Sequence, residues 1–551
     1  MRRYIITLWL LSAAWCLGTV LQAAPKPKKE VFIPMDYSTC GYHASEQAIP
    51  NVKATVSVGW QAGDCSRLIQ QAIDHVASLK PDVNGHRGAV VLGEGCFTIS
   101  EPLRITASGI VLRGMGRNKT TLVKQGVDRG AMIYVTLGTG TPVTSAMSQE
   151  FLSPVCPAGS TKLPIKGGNF KVGERILIVR PCTAEWIQSL KMNDFGGGLD
   201  YTGWKATDID ITWDRTVKAV DGDAITLDAP ITTTISQAFG GAYIIRNPNP
   251  SEITECGIEN LTLESEVNDW NPKDEDHCWD GIFIDNARDC WVRMVNFRHL
   301  AGSAVNLQKQ TSRITVEDCI ASEPVSEIGG WRRQVFLTRG QQTLFQRCIS
   351  RQGIHDFAAG FCAAGPNAFV QCEGEESLGF SGSIGSWAAG LLFDIVNIDG
   401  NDLRFANLEQ FQFGTGWNTA NSMFWQCTAS TIECYSPDDD NKSSGHGCWG
   451  TLTGNGEWTS SNDHVSPRSL FYDQLEKRLG RLPFEPYLLP RNTNATSSPT
   501  VEQAMAMAKE SLTEPRLTMA MWIDAIDDTL GTGTPVTSAM SQEFLSPACH
   551  Q

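Results

Sequence analysis

Seven short segments share one pattern, and their spacing restricts the fold more than any other feature of the chain. Ile258-Glu-Asn-Leu-Thr-Leu, Val292-Arg-Met-Val-Asn-Phe, Val316-Glu-Asp-Cys-Ile-Ala, Phe345-Gln-Arg-Cys-Ile-Ser, Phe369-Val-Gln-Cys-Glu-Gly, Phe393-Asp-Ile-Val-Asn-Ile and Phe424-Trp-Gln-Cys-Thr-Ala align at their fourth position. That position is Leu261, Val295, Cys319, Cys348, Cys372, Val396 and Cys427, at intervals of 34, 24, 29, 24, 24 and 31. A short strand recurring at such intervals is the signature of a β-solenoid, in which no repeat buries its apolar side alone and neighbours must stack. The anchors then form an internal ladder. Leu and Val share its positions with Cys, so Cys319, Cys348, Cys372 and Cys427 are read as buried free thiols acting as small hydrophobes. Cys434 and Cys448 flank a polar loop outside this ladder and are the best disulfide candidates.

Upstream, Asp64-Cys-Ser-Arg-Leu-Ile-Gln-Gln-Ala-Ile-Asp-His-Val-Ala has helical apolar spacing at Leu68, Ile69, Ala72, Ile73 and Val76, with Asp64 as N-cap. Short strands separated by Gly turns follow to Gly116. A helix of this kind covers the open edge of a first coil. The stretch Asp64 to Gly116 resembles the N-terminal motif of the pectate-lyase-like, right-handed parallel β-helix superfamily. The resemblance implies that fold, but not one chemistry, because the superfamily includes polysaccharide lyases, glycoside hydrolases and noncatalytic tailspike parts.

The expected fold is therefore a right-handed parallel β-helix with a small β insertion and a helical C-terminal tail. Its expected divisions are a signal peptide at 1–24, cap helix and first coils at 25–159, the insertion at 160–250, main coils at 251–465 and the tail at 466–529. Residues 530–551 nearly copy the 137–156 region: Thr136–Cys156 and Thr529–Cys549 differ only at Val155 and Ala548. No function is assigned to the second copy.

Arg2 and Arg3 before an apolar run, with Ala23 and Ala24 beyond it, read as an export signal and predict a periplasmic, cell-surface or secreted protein. No later run is long and apolar enough to span a bilayer. Removing those two arginines takes the formal charge from −15 to −17. Such an acidic body argues against nucleic acid as a partner. An anionic substrate would need a local basic patch. The sequence leaves the oligomeric state open.

Equal offsets from the anchors locate a candidate stripe. His277 and Asp280 lie 18 and 15 before Val295, Arg332 and Arg333 lie 16 and 15 before Cys348, and His355 and Asp356 lie 17 and 16 before Cys372. Neighbouring coils are about 4.8 Å apart. His355 is the candidate base, oriented by Asp356, with Arg332 and Arg333 neutralising a uronate carboxylate. His277, Asp280, Trp331 and Arg351 are the candidate substrate-binding residues, and Trp270 and Trp279 add aromatic platforms. This chemistry is β-elimination on an acidic polysaccharide.

Two alternatives remain open. Glu323 and Glu376 each lie four after an anchor, with Gln352 between, which puts them about 10 Å apart, near the inverting limit for a hydrolase. A noncatalytic carbohydrate-binding or structural solenoid is the other. No cofactor is assigned. Calcium assists many lyases of this fold, and the acidic loop Asp438-Asp-Asp-Asn-Lys offers oxygen ligands without the spacing of a known calcium loop.

Overall fold

The computed structural model describes residues 31, 33–138, 150–151, 154–166, 169–195, 204–206, 208–246, 251–489, 500–513 and 518–530. The signal segment 1–24 and the second copy beyond 530 lie outside them. The chain divides into Met1–Ile33 and Pro34–Gln551, and every described strand and helix belongs to the second unit.

Short parallel strands stack in three rows that run the length of the solenoid. The first row begins with Ala54–Val58, Gly88–Leu92 and Ile110–Arg113 and ends at Glu457–Thr459. The second includes Gly95–Ile99, Thr120–Lys124, Ile320–Ser322, Ile349–Arg351 and Glu373–Glu375. The third includes Leu103–Ile105, Ala131–Val135, Asp280–Ile284, Val305–Leu307, Gln334–Thr338, His355–Ala359 and Ser381–Ser383. This is a parallel β-helix.

The ladder lies inside. Leu261 pairs in register with Val295, and Cys319, Cys348, Cys372, Val396 and Cys427 are fully buried in one core. Beside them runs a column of aromatic rings: Phe345 on Phe369 and Phe369 on Phe393, each with centroids 4.9 Å apart. A fully buried Phe contributes about 1.5–3 kcal/mol, so this column is a large part of what holds successive coils in register. Cys434 and Cys448 are not bonded to each other: both are free thiols in the same core. Cys448 extends the ladder by one rung, in contact with Cys427.

The residue before each anchor turns the chain from the first row to the second. Asn260, Met294, Asp318, Arg347, Gln371, Ile395 and Gln426 all have φ between 51° and 61°. This left-handed conformation is uncommon outside glycine and costly for a β-branched residue such as Ile395. Stacking imposes it at every coil.

The cap helix Ser66–Ser78 starts after Cys65, one residue later than expected. Asp64 nevertheless acts there, its carboxylate accepting from the amides of Ser66 and Ser100. Ile69, Ala72, Ile73 and Val76 are buried against the first coils and Leu68 is partly buried. The tail contains Leu470–Leu479, Val501–Thr513 and Met519–Leu530.

Between Ala131–Val135 and the next coil the chain forms a separate antiparallel sheet. Its order is Tyr243–Arg246, Arg175–Arg180, Ile211–Asp221, Ala224–Leu227, Lys162–Lys166, Glu150–Phe151. The coil resumes beyond it, because Gly257–Ser265 pairs directly with Ile110–Arg113 and Thr120–Lys124. The sheet docks on the solenoid through Trp186, Trp204, Trp213 and Trp387. Trp213 Nε1 donates to the carbonyl of Ala364 (3.2 Å) and Arg215 to that of Gly365 (2.9 Å).

Candidate functional site

The third row presents one wall to the outside. Ile133, Ile282, Val305, Phe336 and Phe357 belong to the core. Alternation along a strand then turns their neighbours Tyr134, Phe283, Asn306, Leu337 and Ala358 outward. Register places these five side by side on successive coils, with Arg104 beside Tyr134. The guanidinium of Arg104 lies 4.5 Å over the Tyr134 ring, and Tyr134 packs on Phe283 at 5.5 Å. The face is open from Arg104 to Asn306. Past that point Leu337, Ala358, Phe380 and Ile384 form an apolar cluster with Leu408 and Phe411, which ends it.

Two charges face each other across the open part. Asp280 accepts from the Ser303 amide (3.0 Å) and from Asn306 Nδ2 (2.9 Å), and Gln308 in turn donates to Asn306 Oδ1 (2.6 Å). Burial raises the Asp280 pKa above the ordinary carboxylate value, against the pull of those donors and of Arg339. Arg339 follows Leu337 on the same outward side. It is half-buried, and burial lowers its pKa while Asp280 opposes this. Its Nε has no hydrogen-bond partner among the described residues. Gly360 makes room for it: a Cβ there would sit 2.5 Å from Arg339 Cγ.

Loops rise on both sides. Lys309 Nζ donates to the carbonyl of Asp210 in the insertion (3.1 Å), which fixes one wall. On the other, Trp279 lies between two guanidiniums, those of Arg332 at 4.9 Å and Arg129 at 5.6 Å. Arg332 is paired with Glu275 and Arg129 with Asp276. Trp331 is 40% exposed beside them, and Trp270, earlier on the loop that carries Trp279, is 95% exposed. Such rings, apolar on both faces and held by polar neighbours, suit stacking on a planar or saccharide ligand.

The proposed stripe is only partly assembled. Asp280, Trp331 and Arg332 border this face. His355 and Asp356 do not act together: His355 lies under Trp331, while Asp356 turns inward beside the inward Phe357, a local break in the strand's alternation. His355 donates from Nδ1 to the Phe380 carbonyl (2.7 Å) and is fully buried. Burial pushes its pKa down to about 4. Asp356 faces the interior, accepting from Ser350 Oγ and Ser377 Oγ, and burial pushes its carboxyl up to about 6. Arg333 is also buried. It holds a corner together through Ser326 Oγ, the Ser326 carbonyl and the Gln352 carbonyl. His277 is buried, Nε2 on the Val325 carbonyl (2.9 Å) and Nδ1 on Ser265 Oγ (3.0 Å). Arg351 belongs to the second row and pairs with Glu375 (2.7 Å).

Glu323, Gln352 and Glu376 do share a register, but its cause is the backbone. With His299 they occupy left-handed corner positions at φ 53° to 57°. Glu323 meets His299 at 3.2 Å and Glu376 accepts from Gln352 (2.8 Å). In the acidic loop, Asp438 spends its carboxylate on the Asp440 amide and Asn441 Nδ2. Arg339, Asn306, Tyr134 and Arg104 escaped the sequence reading; strand alternation from the core residues of the same coils is the signal that locates them.

Residues 456–544, the last strand and the tail, match a family model described as Domain of unknown function (DUF6298). No curated protein matches the chain. Among solved structures that match it, ORF18 of Geobacillus virus E2 is 10% identical over 74% of this chain and 59% of its own, with a TM-score of 0.34. Pectate lyase Pel9A is 9% identical over 78% of this chain and 83% of its own (TM-score 0.35). An alginate lyase from Paenibacillus sp. str. FPU-7 is 11% identical over 75% and 100% (TM-score 0.30). The fold assignment rests on the strand register above.

Proposed function

We propose that the protein binds an acidic, uronate-containing polysaccharide along this open face and cleaves it by β-elimination. The observation that carries the reading is Arg339, a half-buried guanidinium that makes no ion pair among the described residues and faces Asp280 across a floor of aromatic and amide side chains. A uronate carboxylate on Arg339 loses part of its negative charge, which acidifies the adjacent carbon-bound hydrogen. Asp280, a stronger base than an exposed carboxylate, removes that proton. The electron pair forms the carbon–carbon double bond as the glycosidic oxygen leaves. Local cationic charge on a chain of net charge −15 also concentrates a polyanion that the rest of the surface repels. The export expected from the basic, apolar N-terminus would fit this reading.

Incubation with a panel of uronate polymers tests it. New ultraviolet absorbance from an unsaturated product supports elimination. New reducing ends without absorbance mean hydrolysis, and binding without either means a noncatalytic solenoid.

A further inference from the structure

Far along the sequence from that face, the segment after Pro34 crosses the outside of several coils. The Gly41 amide donates to the Gln342 carbonyl (2.8 Å) and the Tyr42 amide to Thr315 Oγ1 (2.8 Å). The next residue, His43, reaches two buried carboxylates on adjacent coils, Glu255 and Asp289, 7% and 5% exposed. Their backbones are joined, the Glu255 amide donating to the Asp289 carbonyl (3.0 Å). His43 Nε2 is 2.7 Å from Glu255 Oε1 and Nδ1 is 4.0 Å from Asp289 Oδ2. One ligand atom from each of the three lies within 4.8 Å of the others.

A second imidazole stands beside the cluster, outside the three ligand atoms that lie within reach of one ion. His86, with a side chain 10% exposed, aims Nε2 at Glu255 Oε2 from 3.9 Å, beyond hydrogen-bond reach. Its Nδ1 is buried without a partner among the described residues. One imidazole and two carboxylates, with a second imidazole beside them, suit a borderline divalent transition ion rather than calcium, which takes oxygen alone. The carboxylates are already oriented from outside: Tyr42 Oη donates to Glu255 Oε2 (2.6 Å) and Arg313 to Asp289 Oδ2. Outer partners of this kind are what metal ligands use to hold their geometry. Arg288 and Arg313 both pair with Asp289, whereas among the described residues no guanidinium pairs with Glu255.

We propose that His43, Glu255 and Asp289, with His86 supporting Glu255 from outside, form a site for one divalent transition-metal ion of the zinc class, which pins the N-terminal segment to the coils. The ion takes the place of the proton between His43 and Glu255, so that proton is released to solvent and binding weakens on acidification.

The test uses the full chain stripped by chelator and then titrated with Zn²⁺ in excess Mg²⁺. One equivalent is expected to bind and to raise the unfolding temperature. His86→Ala and His43→Ala should each weaken binding at least about tenfold, while His75→Ala, on the exposed side of the cap helix, should not. Co²⁺ added to the unaltered chain reads the ligands even if the variants misfold: d–d bands without sulfur charge transfer are expected. Absence of a retained ion, equal affinity in folded His43 and His86 variants, or a thiolate charge-transfer band would overturn the proposal.

Discussion

Trp331 lies flat over the imidazole of His355, ring centroids 5.7 Å apart and planes 25° from parallel. With the Phe380 carbonyl on Nδ1, the stack makes His355 a packing residue. His355→Gln should therefore keep turnover and lose stability. The pH dependence has a definite sign. The folded pKa, about 4, lies below the unfolded value of about 6.5, so the contribution is complete above pH 6.5 and lost as pH falls toward 4. The difference corresponds to about 3 kcal/mol. Urea unfolding of the parent and the variant across that range checks it.

Glu259 is fully buried between Arg113 and Arg293 and also accepts from Trp291 Nε1 (2.9 Å). Burial alone would raise its pKa, but the two guanidiniums hold it below the ordinary value. Glu259→Ala strands two cations and should cost about 3–5 kcal/mol. In the parent, this contribution is present above the ordinary Glu pKa and disappears as pH falls through the lower folded one. Chemical denaturation at neutral and acidic pH measures both effects.

Cys96 is the one exposed thiol among the described residues, and the ladder thiols are fully buried. In the native protein a thiol reagent should modify Cys96 quickly and the ladder only after unfolding. Cys348→Ser, which puts a hydroxyl into the core, should cost about 1–3 kcal/mol.

Glu323 and Glu376 sit at left-handed corners, φ 54° and 53°. Replacing either with Gly should be neutral or stabilising by up to about 1 kcal/mol, because the backbone strain is relieved. Turnover should survive Glu323→Gln and Glu376→Gln together. Loss of activity in a folded double variant would restore the hydrolase reading.

The solenoid was legible because a ladder position must be small and apolar in every coil, and Leu261, Val295 and Cys319 show that directly. The corners were not, because stacking imposes left-handed φ on residues as unsuited as Ile395. The site was half legible for a related reason. Counting back from an anchor finds the right coil, as with Asp280 and Trp331. It cannot resolve one residue from the next, and one residue is the difference between His355 under Trp331 and Asp356 inside the core. Loop lengths blur the count further: Arg332 finds its partner in Glu275, on a loop 57 residues earlier.

The most direct measurement is the rate of unsaturated-product formation from a uronate polymer by the parent, Asp280→Asn and Arg339→Gln, with polymer binding measured alongside. Asp280→Asn should lose about 10²–10⁴-fold in turnover and keep binding, since a base acts in the transition state. Arg339→Gln should lose both. Parent-like rates in the two folded variants would contradict elimination on this face.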